Sequence, residues 1–284
     1  MMTLYERIDA ARRQLADAGI SSATASLDAD VLARYVLGWD RAQLLTRSRE
    51  PAPEGFPEQY QRLIERRSRR EPVAFLTGSR EFWGLEFMVS PDTLVPRPET
   101  ELIVEEALRM LPAGRSMVLD VGTGTGCVAV SLAVERPAAT VIATDISRPA
   151  LLVAAANARR HGVGDRVHLV HTDLASGLNL QADVIVSNPP YVADGDAPGM
   201  VPDVVNYEPA MALFGGADGM TVIERLLATT PPLLAPGGEF IVEFGYGQED
   251  AVREAAQREG WQVTRVLADI QGIARTAVLE TRRG

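Results

Sequence analysis

Lysine is missing from this 284-residue chain, so all 28 basic residues are arginine. Beside the alanine richness, that points to a GC-rich coding bias and not to a functional choice. Cysteine is nearly absent too. A single thiol, Cys127, excludes an internal disulfide, and its place in an apolar segment reads as a small core residue. The only histidines are His161, His168 and His171, and none has metal-ligand spacing to carboxylates or cysteine. No metal is expected. No apolar run approaches the ~18 residues of a membrane span. The start, Met1-Met2-Thr3-Leu4-Tyr5-Glu6-Arg7, carries no signal-peptide pattern. These gaps set aside membrane and secreted classes and leave a cytoplasmic globular chain as the expectation.

What is present gathers in a few motifs. Asn188-Pro189-Pro190-Tyr191 follows the apolar run Asp183-Val184-Ile185-Val186-Ser187, a buried strand ending in a rigid turn. The turn offers one amide and one ring. That chemistry suits holding a planar –NH2 group for alkylation, because such a nitrogen is a poor nucleophile whose N–H groups need acceptors aimed for attack. The Asn188 carboxamide oxygen can accept one hydrogen bond and the Pro189 carbonyl the other. Prolines fix φ and lack donors, so little ordering remains for the transition state. Tyr191 can stack on or wall off the group. An ordinary Pro-Pro turn helped by an Asn has the same letters.

The second motif runs from Met117 to Val130, a strand into Gly122-Thr123-Gly124-Thr125-Gly126 into an apolar helix. The spacing is not the Gly-x-Gly-x-x-Gly of dinucleotide binding. Alternating glycines let a ligand lie flat on the backbone, which suits a nucleoside without phosphate, and S-adenosylmethionine fits. A structural tight turn also fits. A strand, Thr140–Thr144, then ends in Asp145, where ribose hydroxyls are held in such sheets. After Val167–Val170 come Asp173 and Leu174, placed to flank adenine. A fourth strand delivers Asn188, which can also touch the cofactor. The order is more specific than any one part.

With these residues the chain resembles the class I S-adenosylmethionine-dependent methyltransferases, and more narrowly the release-factor glutamine N5-methyltransferases, the PrmC/HemK family. The resemblance spans nearly the whole chain. It includes Arg70-Glu71-Pro72-Val73-Ala74-Phe75-Leu76-Thr77-Gly78, Phe82-Trp83-Gly84-Leu85, Asn206-Tyr207-Glu208-Pro209 and Gly215-Gly216-Ala217-Asp218-Gly219. The sharpest marker is Pro96-Arg97-Pro98-Glu99-Thr100-Glu101. Leu174 departs from relatives that carry an aromatic residue there. The resemblance implies an α/β fold, a Rossmann-like seven-stranded methyltransferase sheet with an antiparallel last strand, preceded by a small N-terminal helical domain. It implies methyl transfer to the side-chain amide nitrogen of the glutamine in the Gly-Gly-Gln loop of peptide-chain release factors.

Three other readings stay open. A nucleic-acid amine methyltransferase would use the same Asn-Pro-Pro-Tyr, since adenine N6 and guanine N2 are also planar –NH2 groups. A sister family methylates a ribosomal-protein glutamine but differs around residues 96–101. A cofactor-dependent interaction module without chemistry would keep the glycine loop. Charge weighs against nucleic acid. Residues 1–80 hold 13 arginines against 11 acids, whereas residues 81–284 hold 15 against 27. The densest basic patch is Arg62, Arg66, Arg67, Arg69 and Arg70. It is either a solvated helix face or a surface for acidic protein or RNA.

Periodicity divides the chain. Leu4, Ile8, Ala11, Leu15 and Ala18 mark a helix closed by Gly19; Leu27, Val31, Leu32, Tyr35 and Val36 mark a second closed by Gly38. Asp40 caps a short third, and Tyr60, Leu63 and Ile64 anchor another. Residues 1–75 are therefore expected as a helical domain, and its separate packing and arginine cluster assign it to substrate recognition. Residues 76–95 are expected as a linker with a β-hairpin around Gly84. Residues 96–284 are expected as the methyltransferase domain, ending in a strand pair at 262–267 and 275–280. Asp194–Pro202 reads as a mobile loop over the site.

Overall fold

The computed structural model describes residues 2–281 and separates into two compact units. One takes the chain up to Ser79 together with Val201–Tyr207; the other takes Arg80–Met200 and the chain from Glu208 on.

The first unit is helical. Helix α1 (Leu4–Asp17) starts in a capping box between Thr3 and Glu6 and buries Leu4, Ile8, Ala11 and Leu15. Helix α2 (Ser22–Leu37) is capped by Ser21 and closed by Gly38 at φ 66°. Its buried stripe is Ala25, Asp28, Ala29, Leu32 and Ala33, while Leu27 and Tyr35 are exposed. The expected face is thus rotated, because small alanines let the neighbouring helices approach. Helix α3 (Arg41–Arg47) carries a second capping box, Asp40 with Gln43. Helices α4 (Phe56–Ser68) and α5 (Val73–Thr77) complete the bundle, with the Tyr60 hydroxyl donating to the Ala29 carbonyl at 3.0 Å.

The arginine cluster is neither of the two things expected of it as a whole. Arg67 is buried and bridges Asp28 and Asp203, both at 2.7 Å. Arg70 also pairs with Asp203, and Arg66 with Glu71. Among the described residues, Arg62 and Arg69 are the two of the five that lie exposed with no carboxylate partner. Asp203 explains why residues 201–207, expected with the methyltransferase part, cluster with the helices. A buried arginine needs its carboxylates, and losing one partner of such a pair costs about 3–5 kcal/mol. The Tyr207 hydroxyl adds a bond to the Arg69 carbonyl at 2.8 Å.

The second unit starts at Arg80, inside a hairpin of β1 (Ser79–Phe82) and β2 (Leu85–Met88). Trp83 and Gly84 both have positive φ, as a tight two-residue hairpin turn requires. Then follow α6 (Glu101–Met110), β3 (Ser116–Val121), α7 (Cys127–Glu135), β4 (Ala139–Asp145), α8 (Arg148–Arg160), β5 (Val167–His171) and β6 (Ala182–Ser187). After them come α9 (Thr221–Thr229), β7 (Leu234–Glu243), α10 (Glu249–Arg258), β8 (Trp261–Ala268) and β9 (Ala274–Thr281).

The seven-stranded sheet has the order β5-β4-β3-β6-β7-β9-β8. Strands β3 to β7 are mutually parallel; β9 is antiparallel and inserted between β7 and β8. Ile103, Leu132 and Val130 cover one face, and Ile223, Leu226 and Val252 the other. Trp261 is fully buried and its indole N–H donates to the Leu227 carbonyl at 2.8 Å. Strand order reverses between β3 and β6. Ligands of open α/β sheets bind outside the carboxyl ends of strands at such a switch point. The glycine loop leaves the end of β3 and Asn188 leaves the end of β6, so the two motifs meet there. Among the described residues, no helix is long and apolar enough to cross a membrane.

Candidate active site

A cavity of about 370 Å³ opens at that switch point. The glycine loop forms one wall. Gly122 and Thr123 donate their N–H groups to the Thr144 carbonyl at 2.9 and 2.8 Å, and Gly124 donates to Asp145 Oδ2 at 2.9 Å. The loop is thus stitched to the tip of β4. From below, the Thr123 hydroxyl donates to Asp120 Oδ2 at 2.7 Å. Burial lifts Asp120 to about 7, against the pull of Thr123 and the Ala129 N–H. Asn157, wholly buried on α8, donates to the Thr125 carbonyl at 2.9 Å and pairs with both backbone groups of Met88.

The glycines divide by role. Gly122 and Gly124, at φ 77° and 55°, line the cavity. A Cβ on either would meet no protein atom within 4 Å, so neighbouring atoms do not demand glycine there. The left-handed backbone and the open cradle do. Gly126 was expected with them against the cofactor. It lies outside the cavity lining, and a Cβ there would stand 3.1 Å from the Ala154 Cβ. It lets α8 approach the loop.

Asp145, Asp173 and Leu174 all line the cavity. Asp145 Oδ1 accepts the Ser147 N–H at 2.8 Å, so both of its oxygens are oriented by backbone while retaining free lone pairs. Asp173 pairs with Arg225 at 2.6 Å. Leu174 sits at φ 51°, a conformation costly for a branched side chain and concentrated at functional sites. Exposed Ile146, directly after Asp145, shares the lining, a contributor that no sequence motif singled out.

Asn188 and Pro190 face the cavity, whereas Pro189 is buried and, like Tyr191, lies outside the lining. Asn188 Nδ2 donates to Thr100 Oγ1 at 2.9 Å. Thr100 Oγ1 in turn donates to Glu243 Oε2 at 2.7 Å, and the Tyr191 hydroxyl donates to Glu243 Oε1 at 3.2 Å. The Tyr191 ring, expected as a wall for the planar group, therefore points to a buried carboxylate. Burial raises its phenol above the usual range, with Glu243 adding to the shift. Glu243 itself is pushed up to about 7 by burial. Asp194–Gly199, part of the segment Asp194–Pro202 expected as a mobile loop over the site, winds as a short 3-10 helix tied to the Gly216 carbonyl and lines none of the cavity.

Several contributors escaped sequence reading. Thr100 and Arg97 belong to the Pro-Arg-Pro-Glu-Thr-Glu stretch, which had no chemical role assigned. Arg97 lines the cavity and holds both oxygens of buried Glu208 at 2.6 and 2.8 Å. That pair joins two of the motifs by a charge-assisted contact. Gln248 Nε2 donates to the Tyr191 carbonyl at 2.9 Å while its Oε1 accepts the Gly245 N–H at 2.7 Å.

Comparison with known proteins fits this layout. Residues 6–78 match the family described as PrmC N-terminal domain, and residues 100–216 the methyltransferase small domain. The release factor glutamine methyltransferase of Koribacter versatilis is 41% identical over 280 residues, covering 98% of each chain. That of Neisseria gonorrhoeae is 42% identical over 257 residues, covering 89% of this chain and 92% of its own. Among solved structures, a methyltransferase from Pyrococcus furiosus aligns at TM-score 0.53 and 21% identity, over 76% of this chain and 96% of its own. The hMettl16 catalytic domain in complex with MAT2A 3′UTR hairpin 6 aligns at TM-score 0.59 and 16% identity, over 76% and 82%. Those two likenesses speak to the fold alone. End-to-end identity near 40% with chains that share both the helical region and the sheet goes further: this chain belongs to the release factor glutamine methyltransferase family.

Proposed function

We propose that this enzyme transfers a methyl group from S-adenosylmethionine to the side-chain amide nitrogen of the glutamine in the Gly-Gly-Gln loop of peptide-chain release factors. Family membership supports the reaction and the substrate. The observation that carries the chemistry is the orientation of Asn188. Its Nδ2 is given to Thr100, which leaves Oδ1 to accept an N–H from a planar amide in the cavity.

The chain's residues fit the cofactor. Gly122, Thr123, Gly124 and Thr125 offer a side-chain-poor cradle, with Gly126 letting α8 close behind it. Asp145 retains lone pairs for ribose hydroxyls. Asp173 and Leu174 flank the adenine side. When bound, S-adenosylmethionine supplies a sulfonium methyl whose transfer leaves a neutral thioether.

Asn188 Oδ1 and the Pro189 carbonyl accept the two amide N–H groups, Pro190 fixes the turn, and Tyr191 anchors it through Glu243. Acceptance pyramidalises the nitrogen and aims its lone pair. Near-attack positioning of this kind is worth ~7–11 kcal/mol. The proton leaves to water once alkylation has made it acidic, so no dedicated base is assigned. The helical unit is assigned to recognition of the release factor body.

Mass spectrometry of a purified release factor incubated with the enzyme and isotopically labelled S-adenosylmethionine tests this. The mass of one added methyl should map to the loop glutamine. Methyl on another residue, or only on nucleic acid, would overturn it.

A further inference from the structure

We propose that Thr100 and Glu243 are positioning residues that decide which end of the Asn188 amide meets the substrate. The inference rests on the amide-methylation reading above. It begins with a chain of three bonds: Asn188 Nδ2 to Thr100 Oγ1 at 2.9 Å, Thr100 Oγ1 to Glu243 Oε2 at 2.7 Å, and the Tyr191 hydroxyl to Glu243 Oε1 at 3.2 Å. Thr100 is 2% exposed and Glu243 1%, so bulk water does not compete for these bonds.

The direction of the chain follows from counting hydrogens. A threonine hydroxyl has one proton and two lone pairs, and an ionised carboxylate only accepts. With Glu243 ionised, the Thr100 proton must point to it. Thr100 then has only lone pairs to offer Asn188, which compels a donor, Nδ2, on that side. The amide is planar, so Oδ1 turns to the cavity as an acceptor. If Glu243 gains a proton, it can donate to Thr100. The Thr100 proton is then free for Oδ1, and the Asn188 amide can turn over. An N–H would then face the substrate N–H, donor against donor. The turn would keep its shape and lose its function.

The surroundings place this ionisation within reach of ordinary pH. Burial lifts Glu243 to about 7, the Thr100 and Tyr191 bonds pull it down, Glu99 pushes it up, and Arg275 on β9 pulls it down. Arg275 is itself held by Asp269 at 3.1 Å. Cys127, on α7, feels the Glu243 charge but burial keeps its thiol protonated.

The test compares Thr100→Val, Thr100→Ser and Glu243→Gln with the wild-type full chain, using a purified release factor. Thr100→Val keeps the side-chain volume and removes the hydroxyl. It should lower kcat about 10- to 100-fold, by analogy with the loss of an outer hydrogen-bond partner that orients a metal ligand. Affinity for S-adenosylmethionine should be unchanged, and Thr100→Ser should restore kcat. The wild-type kcat should rise with pH through about 7, and Glu243→Gln should flatten that limb. Wild-type kcat in Thr100→Val would overturn the proposal, as would an unaltered acidic limb in a folded Glu243→Gln. If Glu243→Gln does not fold, the Val and Ser variants decide. Failure of the wild type to methylate the release factor would sink the substrate reading and this proposal with it. A normal wild type beside an equally fast Thr100→Val would sink this proposal alone.

Discussion

A Cβ on Gly219 would stand 2.1 Å from the carbonyl oxygen of Tyr191. One on Gly215 would stand 2.5 Å from that of Pro190. The Gly-Gly-Ala-Asp-Gly stretch can therefore lie against the backbone of the turn that carries Asn188, and only glycine permits it.

Gly219→Ala should lower the urea midpoint well beyond what its backbone angle alone demands. Gly219 has φ 78°, and Gly237 has φ 79° with no atom near its missing Cβ. Left-handed backbone costs an alanine roughly 1–2 kcal/mol, so Gly237→Ala should lose about that. Gly219→Ala should lose clearly more, because Tyr191 must move. Equal losses in urea titrations would contradict the account.

Asp145→Ala should weaken S-adenosylmethionine binding by ~1.5–3 kcal/mol, the worth of charge-assisted hydrogen bonds. Both Asp145 oxygens also order backbone, at Gly124 and Ser147, so part of that loss is loop order. Calorimetry returning wild-type affinity would remove Asp145 from the site.

Asp120 gives a stability signature with pH. Its carboxyl is raised from 3.8 to about 7 by burial. A raised acid binds its proton more tightly folded than unfolded. Its stabilising contribution is therefore full below about 4 and lost as pH rises towards 7. Asp120→Asn cannot titrate. Whatever fixed offset the substitution brings, its melting temperature relative to wild type should improve between pH 5 and pH 8. A difference that stays constant across that range would show that Asp120 does not titrate there.

The exposed Arg62 and Arg69 test the role assigned to the helical unit. Charge reversal, Arg62→Glu with Arg69→Glu, should raise KM for an intact release factor and leave KM for a short Gly-Gly-Gln peptide unchanged. An intact factor turned over with wild-type KM would show that these two arginines do not serve recognition.

What could be read from sequence was local. The Gly122–Gly126 turn, the acidic tip at Asp145 and the Asn188 turn each occupy a few consecutive residues. Their chemistry follows from residue type and from ending a strand. The parallel sheet followed from strand–helix alternation. What stayed hidden depends on side chains that meet from far apart. Thr100 reaches Asn188 across 88 positions and Glu243 across 143. Tyr191 turned out to face Glu243 because a buried acid needs a donor more than the cavity needs a ring. Gly126 is set apart from Gly122 by Ala154, a residue 28 positions on that its missing Cβ faces. The arginine cluster looked like a patch because Asp28 and Asp203, which neutralise Arg67, lie on other segments.

The most direct measurement is the single-turnover rate of Asn188→Ala on a release factor, with S-adenosylmethionine affinity measured alongside. Losing one preorganised transition-state hydrogen bond costs ~2.7–4 kcal/mol, about a hundred- to thousandfold in rate. That fall is expected with the fold and cofactor binding intact, and with a larger effect on turnover than on affinity. A variant keeping more than about a third of the wild-type rate, far outside that range, would make Asn188 a mere turn residue and contradict the account.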